Sequence, residues 1–185
     1  MLISDETLYH RYSDGDESGL ESLMERYGNS LTFYINGYIH DIHDAEDLMI
    51  EAFARMILKH PNLRDGGFKS YLYKTARHLA LRFLAKNKLC YCFDLEKLKN
   101  EPESEILIED IVKTQERDQI LHLCMEQLSP DYREVLYLVY FENMCHAEAA
   151  AVMRKSKKQV ADLIYRGKNS LRKRLEREGI TNEKY

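Results

Sequence analysis

The chain has 185 residues and a net charge of −4, with 44% hydrophobic and 31% charged residues, which suits a globular protein and excludes a membrane-embedded one. No apolar run approaches the ~18 residues of a spanning helix, and the start Met1-Leu2-Ile3-Ser4-Asp5-Glu6 lacks the basic region of a signal peptide. A cytoplasmic protein without membrane insertion is therefore expected.

Helical periodicity runs throughout and β-branched alternation is almost absent, which predicts an all-α fold. In chain order, Leu20, Leu23, Met24, Tyr27, Leu31, Tyr34, Ile35 and Tyr38 recur at three- and four-residue steps, the mark of one buried stripe. Asp16 is the expected N-cap of that helix, and Gly28 the point where it would kink or divide. Asp41-Ile42-His43-Asp44 interrupts the pattern. Ala45, Leu48, Met49, Ala52, Phe53, Met56 and Ile57 then form a second stripe, predicting a helix from Asp44 to Lys59 that stops before His60-Pro61. A loop over Asn62–Gly67 leads to a third helix, Phe68 to about Lys88. Between Cys90 and Asp110 seven acids face two bases around Asn100-Glu101-Pro102, the composition of a mobile acidic linker. Helicity resumes near Glu105–Val112 and runs to Gln127. Ser129 and Pro130 then occupy the N-cap and N1 positions of the next helix, where proline's missing N–H costs nothing. The chain is thus expected to hold two small helical domains, 1–88 and 113–185, joined by the acidic linker 89–112.

The second domain carries the sharpest signal. A helix Asp131–Phe141 is followed by a short one from about His146 to Met153, a tight turn at Arg154-Lys155, and a helix opened by a Ser156/Gln159 capping box. This is a helix-turn-helix. In its last helix Val160, Ile164, Gly167, Leu171 and Leu175 fall on one arc and make the buried seam. Lys158, Asp162, Tyr165, Arg166, Asn169 and Lys173 lie opposite, a face able to donate to phosphates and base edges in a major groove. From Arg154 to Arg177 there are ten bases against two acids, a net +8, so the rest of the chain sums to −12. Such segregation points to different partners for different faces. A bundle helix with a solvated basic face is the competing reading.

Two further groups matter. Arg64 to Lys88 holds seven bases, one acid and the aromatics Phe68, Tyr71, Tyr73 and Phe83, a combination suited to single-stranded nucleic acid. Most of those aromatics are expected to be core, with Phe68, Tyr71 or Leu72, Ala76, Leu79 and Phe83 as the buried set. The helix Asp44–Lys59 instead shows Glu46, Asp47, Ile50, Glu51 and Arg55 outward, a face that suits a protein partner or plain solvation. His40, Asp41, His43, Asp44, Glu46 and Asp47 crowd one stretch, but they straddle a helix start that favours acids in any case. No metal site is expected there, and Cys90, Cys92, Cys124 and Cys145 fit no zinc spacing. Gly-rich phosphate loops, G-x-S-x-G and H-E-x-x-H are all missing, so neither an enzyme nor a cofactor is implied.

Three stretches, in order, resemble the sigma factors of bacterial RNA polymerase, in particular the two-domain extracytoplasmic-function group. They are Asp44-Ala-Glu-Asp-Leu-Met-Ile-Glu-Ala-Phe53, Phe68-Lys-Ser-Tyr-Leu-Tyr-Lys-Thr-Ala-Arg-His-Leu-Ala-Leu81, and Leu128-Ser-Pro-Asp-Tyr-Arg-Glu-Val-Leu136 with the helix-turn-helix behind it. The resemblance spans about Leu20 to Leu175. It implies a promoter-specificity factor with core RNA polymerase as partner: Asp47, Ile50 and Glu51 would dock on the β′ clamp coiled coil. It also implies that Leu63, Arg64, Lys74, Arg77, His78 and Arg82 would hold the melted single strand of the −10 element. Duplex DNA at −35 would meet Lys157, Lys158, Ala161, Asp162, Tyr165, Arg166 and Asn169, while the other face of that domain binds the β flap. Anti-sigma factors are a further partner class the resemblance brings. The chain departs from the family's usual residues at Ile50 (usually Gln), His78 (usually Asn), Arg154 (usually Gly), and Ala161 and Leu163 (usually Lys or Arg). Those departures keep two other readings open, a stand-alone helix-turn-helix regulator and a sigma-like interaction module without promoter reading.

Overall fold

A computed structural model describes residues 3–61, 63, 66–91 and 115–178. Among the described residues the backbone is helical throughout its ordered elements and contains no strand.

The first helix, α1 (Asp5–Ser13), has no counterpart in the periodicity reading. It buries only Leu8 and Tyr9, too few positions to show a repeat. Its ends explain it instead: the Ser4 hydroxyl accepts from the Thr7 N–H, acids open its first turn and His10 and Arg11 close its last, each favoured by the helix dipole. The helix lies close on α2 (Ser18–Ile39), because Gly19 has no side chain; a Cβ there would stand 2.3 Å from the Leu8 carbonyl oxygen. Asp5 ties the pair together, accepting from Arg26 and, at 2.5 Å, from the Tyr27 hydroxyl.

In α2 the N-cap position falls on Glu17, one residue after Asp16. Asp16 still restrains the entry, accepting from the Ser18 N–H at 3.1 Å and the Ser18 hydroxyl at 2.6 Å. Gly28 neither kinks nor divides the helix. It is buried in an unbroken run, and a Cβ there would make only ordinary contact with the Met49 methyl at 4.0 Å, so the packing at this position does not require glycine. The next helix, α3 (Ile42–Lys59), begins two residues before the expected Asp44, because the Asp41 carboxylate accepts from the N–H groups of both His43 and Asp44 at 3.0 Å. It stops as expected: His60 takes a left-handed conformation (φ 39°) ahead of Pro61.

Helix α4 (Gly67–Tyr91) closes the first group of helices. The second group comprises α5 (Gln115–Glu126), α6 (Pro130–Leu136), α7 (His146–Met153) and α8 (Lys157–Arg177). Pro130 occupies the first turn of α6 as expected, but the Ser129 side chain makes no capping bond. The expected single helix to Phe141 widens into a π turn over Tyr137–Phe141, where the Glu142 N–H reaches the Tyr137 carbonyl five residues back. Residues 92–114, which include Cys92 and most of the expected acidic linker, lie outside the described residues, as do Asn62, Arg64 and Asp65.

Leu23, Leu31, Ile35, Met56, Phe68, Leu72 and Tyr73 fill the interior of α1–α4, and Val135, Leu138, Val152 and Val160 that of α6–α8. The two interiors meet in one continuous apolar cluster. No helix among the described residues is long and apolar enough to cross a membrane.

Candidate nucleic-acid and polymerase interfaces

The helix-turn-helix is built from local bonds. At the start of α7 the Glu148 carboxylate accepts from the Cys145 N–H at 2.7 Å. The turn is made by Arg154 in a left-handed conformation (φ 54°), its N–H bonded to the Ala150 carbonyl. At α8 the expected capping box is present, with the Ser156 hydroxyl accepting from the Gln159 N–H at 3.2 Å and the Gln159 amide oxygen from the Ser156 N–H at 2.8 Å. Val160, Ile164 and Gly167 are buried, while Leu171 and Leu175 are half-buried at the tapering end of the seam. Gly167 brings α8 against α6, where a Cβ would sit 3.4 Å from Leu136 and Tyr132.

On the outer face Lys157, Lys158, Ala161, Asp162, Tyr165 and Arg166 are exposed, Tyr165 to 71%. Asn169 is half-buried, at the edge of the face and not at its centre. A row of cations with an aromatic and a carboxylate among them can hold phosphates and accept from a base amino group.

The cations of α4 divide differently. Lys74, His78 and Arg82 are exposed. Arg77 is not: its Nε donates at 2.8 Å to Glu134 of α6, with only 16% of the Arg77 side chain and 5% of the Glu134 side chain exposed. Glu134 also accepts from the Tyr34 hydroxyl at 2.9 Å. Lys69 reaches the Glu142 carboxylate at 2.9 Å, and its ammonium lies 5.6 Å and 5.9 Å from the ring centres of Tyr27 and Tyr73. Tyr137 donates to the Ser30 carbonyl at 2.9 Å and stacks on Tyr34 with ring centres 5.8 Å apart.

Burial, reinforced by Glu134, pushes the Tyr34 phenol well above its ordinary value. Burial followed by the Glu142 charge does the same to Tyr73 and Tyr137. For Arg77 desolvation pulls the pKa down, but the adjacent Glu134 outweighs it and the net direction is up. The guanidinium stays charged.

Among the α4 aromatics, Phe68 and Tyr73 are fully buried while Tyr71 and Phe83 are half-buried. Tyr73 is the departure, since single-face spacing assigned burial to Tyr71 or Leu72. Helix α4 packs against α2 and α3 on one side and α7 on another, so its buried arc is wider than one stripe. Leu63 is half-buried against the first core, and Arg64 lies outside the described residues.

On α3, Asp47 and Ile50 are exposed, Ile50 to 53%. Glu51 is half-buried, held by Arg55 at 2.6 Å and 2.9 Å one turn on. Leu58, 80% exposed, continues the same flank and was not singled out by spacing. Besides the Asp41 cap, the crowded His and acid stretch makes one side-chain ion pair, His43 to Glu46 at 3.8 Å, and no group of three potential ligands converges among the described residues.

Two family models match the chain, one described as Sigma-70 region 2 over residues 23–89 and one as Sigma-70, region 4 over residues 118–171. Among curated proteins, the RNA polymerase sigma-H factor of Pseudomonas aeruginosa is 27% identical over 93% of this chain and 94% of its own length. The ECF RNA polymerase sigma factor SigW of Bacillus subtilis is 25% identical over 87% and 91%, and the ECF RNA polymerase sigma-E factor of Escherichia coli 24% over 91% and 93%. Two solved structures share the fold. CnrH, in complex with the cytosolic domain of CnrY, superposes with a TM-score of 0.64 at 19% identity, covering 94% of this chain and 98% of that one. RpoE of Bartonella quintana, in complex with the anti-sigma factor NepR, gives 0.66 at 18% identity over 85% and 96%.

Proposed function

The chain belongs to the extracytoplasmic-function group of the sigma-70 family and directs RNA polymerase to promoters, and we propose that it does so through two domains with separate tasks. Residues 1–88 form the first domain, 89–112 the linker and 113–185 the second. The first docks on polymerase through Asp47, Ile50 and Glu51 of α3, with the Glu51–Arg55 pair fixing the carboxylate in place. It takes the melted −10 strand along α4 with Leu63, Arg64, Lys74, Arg77, His78 and Arg82. The second reads the −35 duplex with Lys157, Lys158, Ala161, Asp162, Tyr165, Arg166 and Asn169.

The observation that carries this reading is the division of exposed charge. The outer face of α3 presents Asp47 and Ile50, which suits a protein surface and repels DNA, whereas α8 presents Lys157, Lys158 and Arg166 in a capped, rigid helix. Ala161 and Leu163 stand where lysine or arginine is usual, so affinity at −35 rests on the flanking cations as phosphate clamps, with Asp162 accepting from a cytosine amino group. The protein performs no bond chemistry itself, works in the cytoplasm, and is held in reserve by an anti-sigma partner of the class seen with RpoE of Bartonella quintana.

Run-off transcription with core polymerase on fragmented genomic DNA of the host tests the whole reading. Discrete 5′ ends sharing a −35/−10 pair, present only with this protein, are expected. Core binding without such transcripts would leave only an interaction module. Separately, Glu51→Lys is expected to abolish holoenzyme formation while the helical circular dichroism stays unchanged; undiminished holoenzyme would remove α3 as the docking helix.

A further inference from the structure

The close approach of α8 to α6 at Gly167 has an effect one residue on. A Cβ at Gly167 would stand 3.4 Å from Leu136 and Tyr132, so the two helices are nearly in backbone contact there. Lys168 is thereby carried over the π turn that continues α6, and its ammonium lies 5.4 Å from the centre of the Tyr140 ring. The widened turn divides its aromatics between two neighbours. Tyr137 donates to Ser30 of α2 and Phe141 stacks on Tyr137 with ring centres 5.6 Å apart, whereas Tyr140 faces α8. Both members of the Tyr140–Lys168 pair stay exposed, Tyr140 to 51%.

Lys168 also belongs to a row. Ala161, Tyr165, Lys168 and Arg172 follow one another at four-, three- and four-residue steps, so they share one edge of the exposed α8 surface. That row starts with an apolar residue and gains its cations only in its second half. A free lysine gives up much of its side-chain freedom when it takes a phosphate. Held over a ring by cation–π attraction, Lys168 has given up part of that freedom already and keeps ammonium protons for other acceptors. The Tyr140 hydroxyl, at the far end of the same ring, is a second donor that suits a phosphate oxygen.

Resting on the assignment of α8 to duplex DNA, we propose that the duplex-binding surface continues beyond α8 onto the π turn, where Tyr140 and Lys168 act as one composite phosphate clamp. Lys168 supplies the charge, the Tyr140 ring holds it in place, and the Tyr140 hydroxyl donates to the phosphate backbone beside it. The clamp reads no base. It fixes the register of α8 on the duplex and strengthens the edge that begins, at Ala161, without a cation. Arg172 on the same edge adds a second positive charge, which suits a polyanion and not an apolar protein surface.

The test titrates the full chain against a fluorescein-labelled, mixed-sequence duplex of about 24 base pairs, reading fluorescence anisotropy at several salt concentrations. Lys168→Ala is expected to weaken binding about fivefold at low salt and to lower the salt slope by about one counterion. Tyr140→Leu leaves the charge unchanged, yet is expected to weaken binding about threefold and to lower the slope as well, because the released lysine returns to solvent. Tyr140→Phe keeps the ring and loses only the hydroxyl, so a loss of about twofold at unchanged slope is expected. In Tyr140→Leu/Lys168→Ala the losses do not add, since either change alone removes the clamp. A contact that merely stiffens the fold would lower the melting temperature and leave the salt slope alone. An unchanged slope in Lys168→Ala, wild-type binding by Tyr140→Leu, or additive losses in the double variant would each overturn the clamp. Should Tyr140→Leu lose its helical spectrum, Tyr140→Phe and Lys168→Ala decide, and wild-type binding by either overturns the proposal. The assignment of α8 is judged apart with Lys158→Ala/Arg166→Ala. If that variant binds the duplex as the wild type does, α8 is not the duplex face and the clamp falls with it; if it binds weakly while Lys168→Ala does not, only the clamp has failed.

Discussion

Helices α4 and α8 are both rich in cations, but they hold them in different states. On α8, Lys157, Lys158, Arg166, Arg172 and Lys173 point to solvent from a helix fixed by its own cap and seam. On α4, Lys69 and Arg77 are tied to carboxylates 73 and 57 residues further along the chain, while Lys74, His78, Arg82 and Lys86 stand exposed. The number of positive residues on a helix therefore does not report how many can meet a ligand. Partners brought in by tertiary packing decide that.

The difference can be broken most forcefully with alkali. The neutral phenol is the buried form of Tyr34, Tyr73 and Tyr137, so the folded state holds these protons more tightly than the unfolded chain does. Their contribution is intact below about pH 10 and is lost as pH climbs beyond it, at up to about 1.4 kcal/mol per pH unit for each tyrosine. Urea melts at rising pH are expected to show a steep loss, and a flat profile to pH 11 would mean these rings are solvated. Arg77→Ala comes next. It leaves the Glu134 carboxylate buried without its cation, which costs on the order of 3–5 kcal/mol. A loss below about 1 kcal/mol, the range of surface ion pairs, would show that the Arg77–Glu134 pair is no more buried than one on the surface.

The α8 side of the comparison predicts smaller numbers. Ser156→Ala removes one half of the capping box and is expected to cost about 1 kcal/mol in a thermal or urea melt. Lys158→Ala is expected to change stability by less than about 0.5 kcal/mol while reducing the salt dependence of duplex binding by roughly one counterion. Equal stability losses for Lys158→Ala and Arg77→Ala would erase the contrast between the two helices.

The same contrast explains what was legible in the sequence. Helix α8 was readable because everything that defines it is local: Ser156 and Gln159 three residues apart, a seam of Val160, Ile164 and Gly167, and cations opposite. The stop of α3 at His60-Pro61 was local too. Helix α1 was not, since two buried residues make no period and its position depends on the fit of Gly19 under the Leu8 carbonyl. Glu134 was invisible for a different reason. In the run Pro130–Leu136 it is an acid between Arg133 and Val135 with nothing local to mark it as buried, and only Arg77 and Tyr34, far off in sequence, make it a buried acceptor. The π turn at Tyr137–Phe141, which aims Tyr137 at Ser30 and Tyr34, carries no spacing signature that separates it from an ordinary helix end. Thus the face of α8 could be drawn from spacing, while the state of the α4 face could not.

The turn of the helix-turn-helix leaves one last consequence. Arg154 occupies a left-handed conformation that costs a non-glycine residue roughly 1–2 kcal/mol, where glycine would sit without strain. Arg154→Gly is therefore expected to harden the protein against heat while removing one cation from the turn that leads into α8.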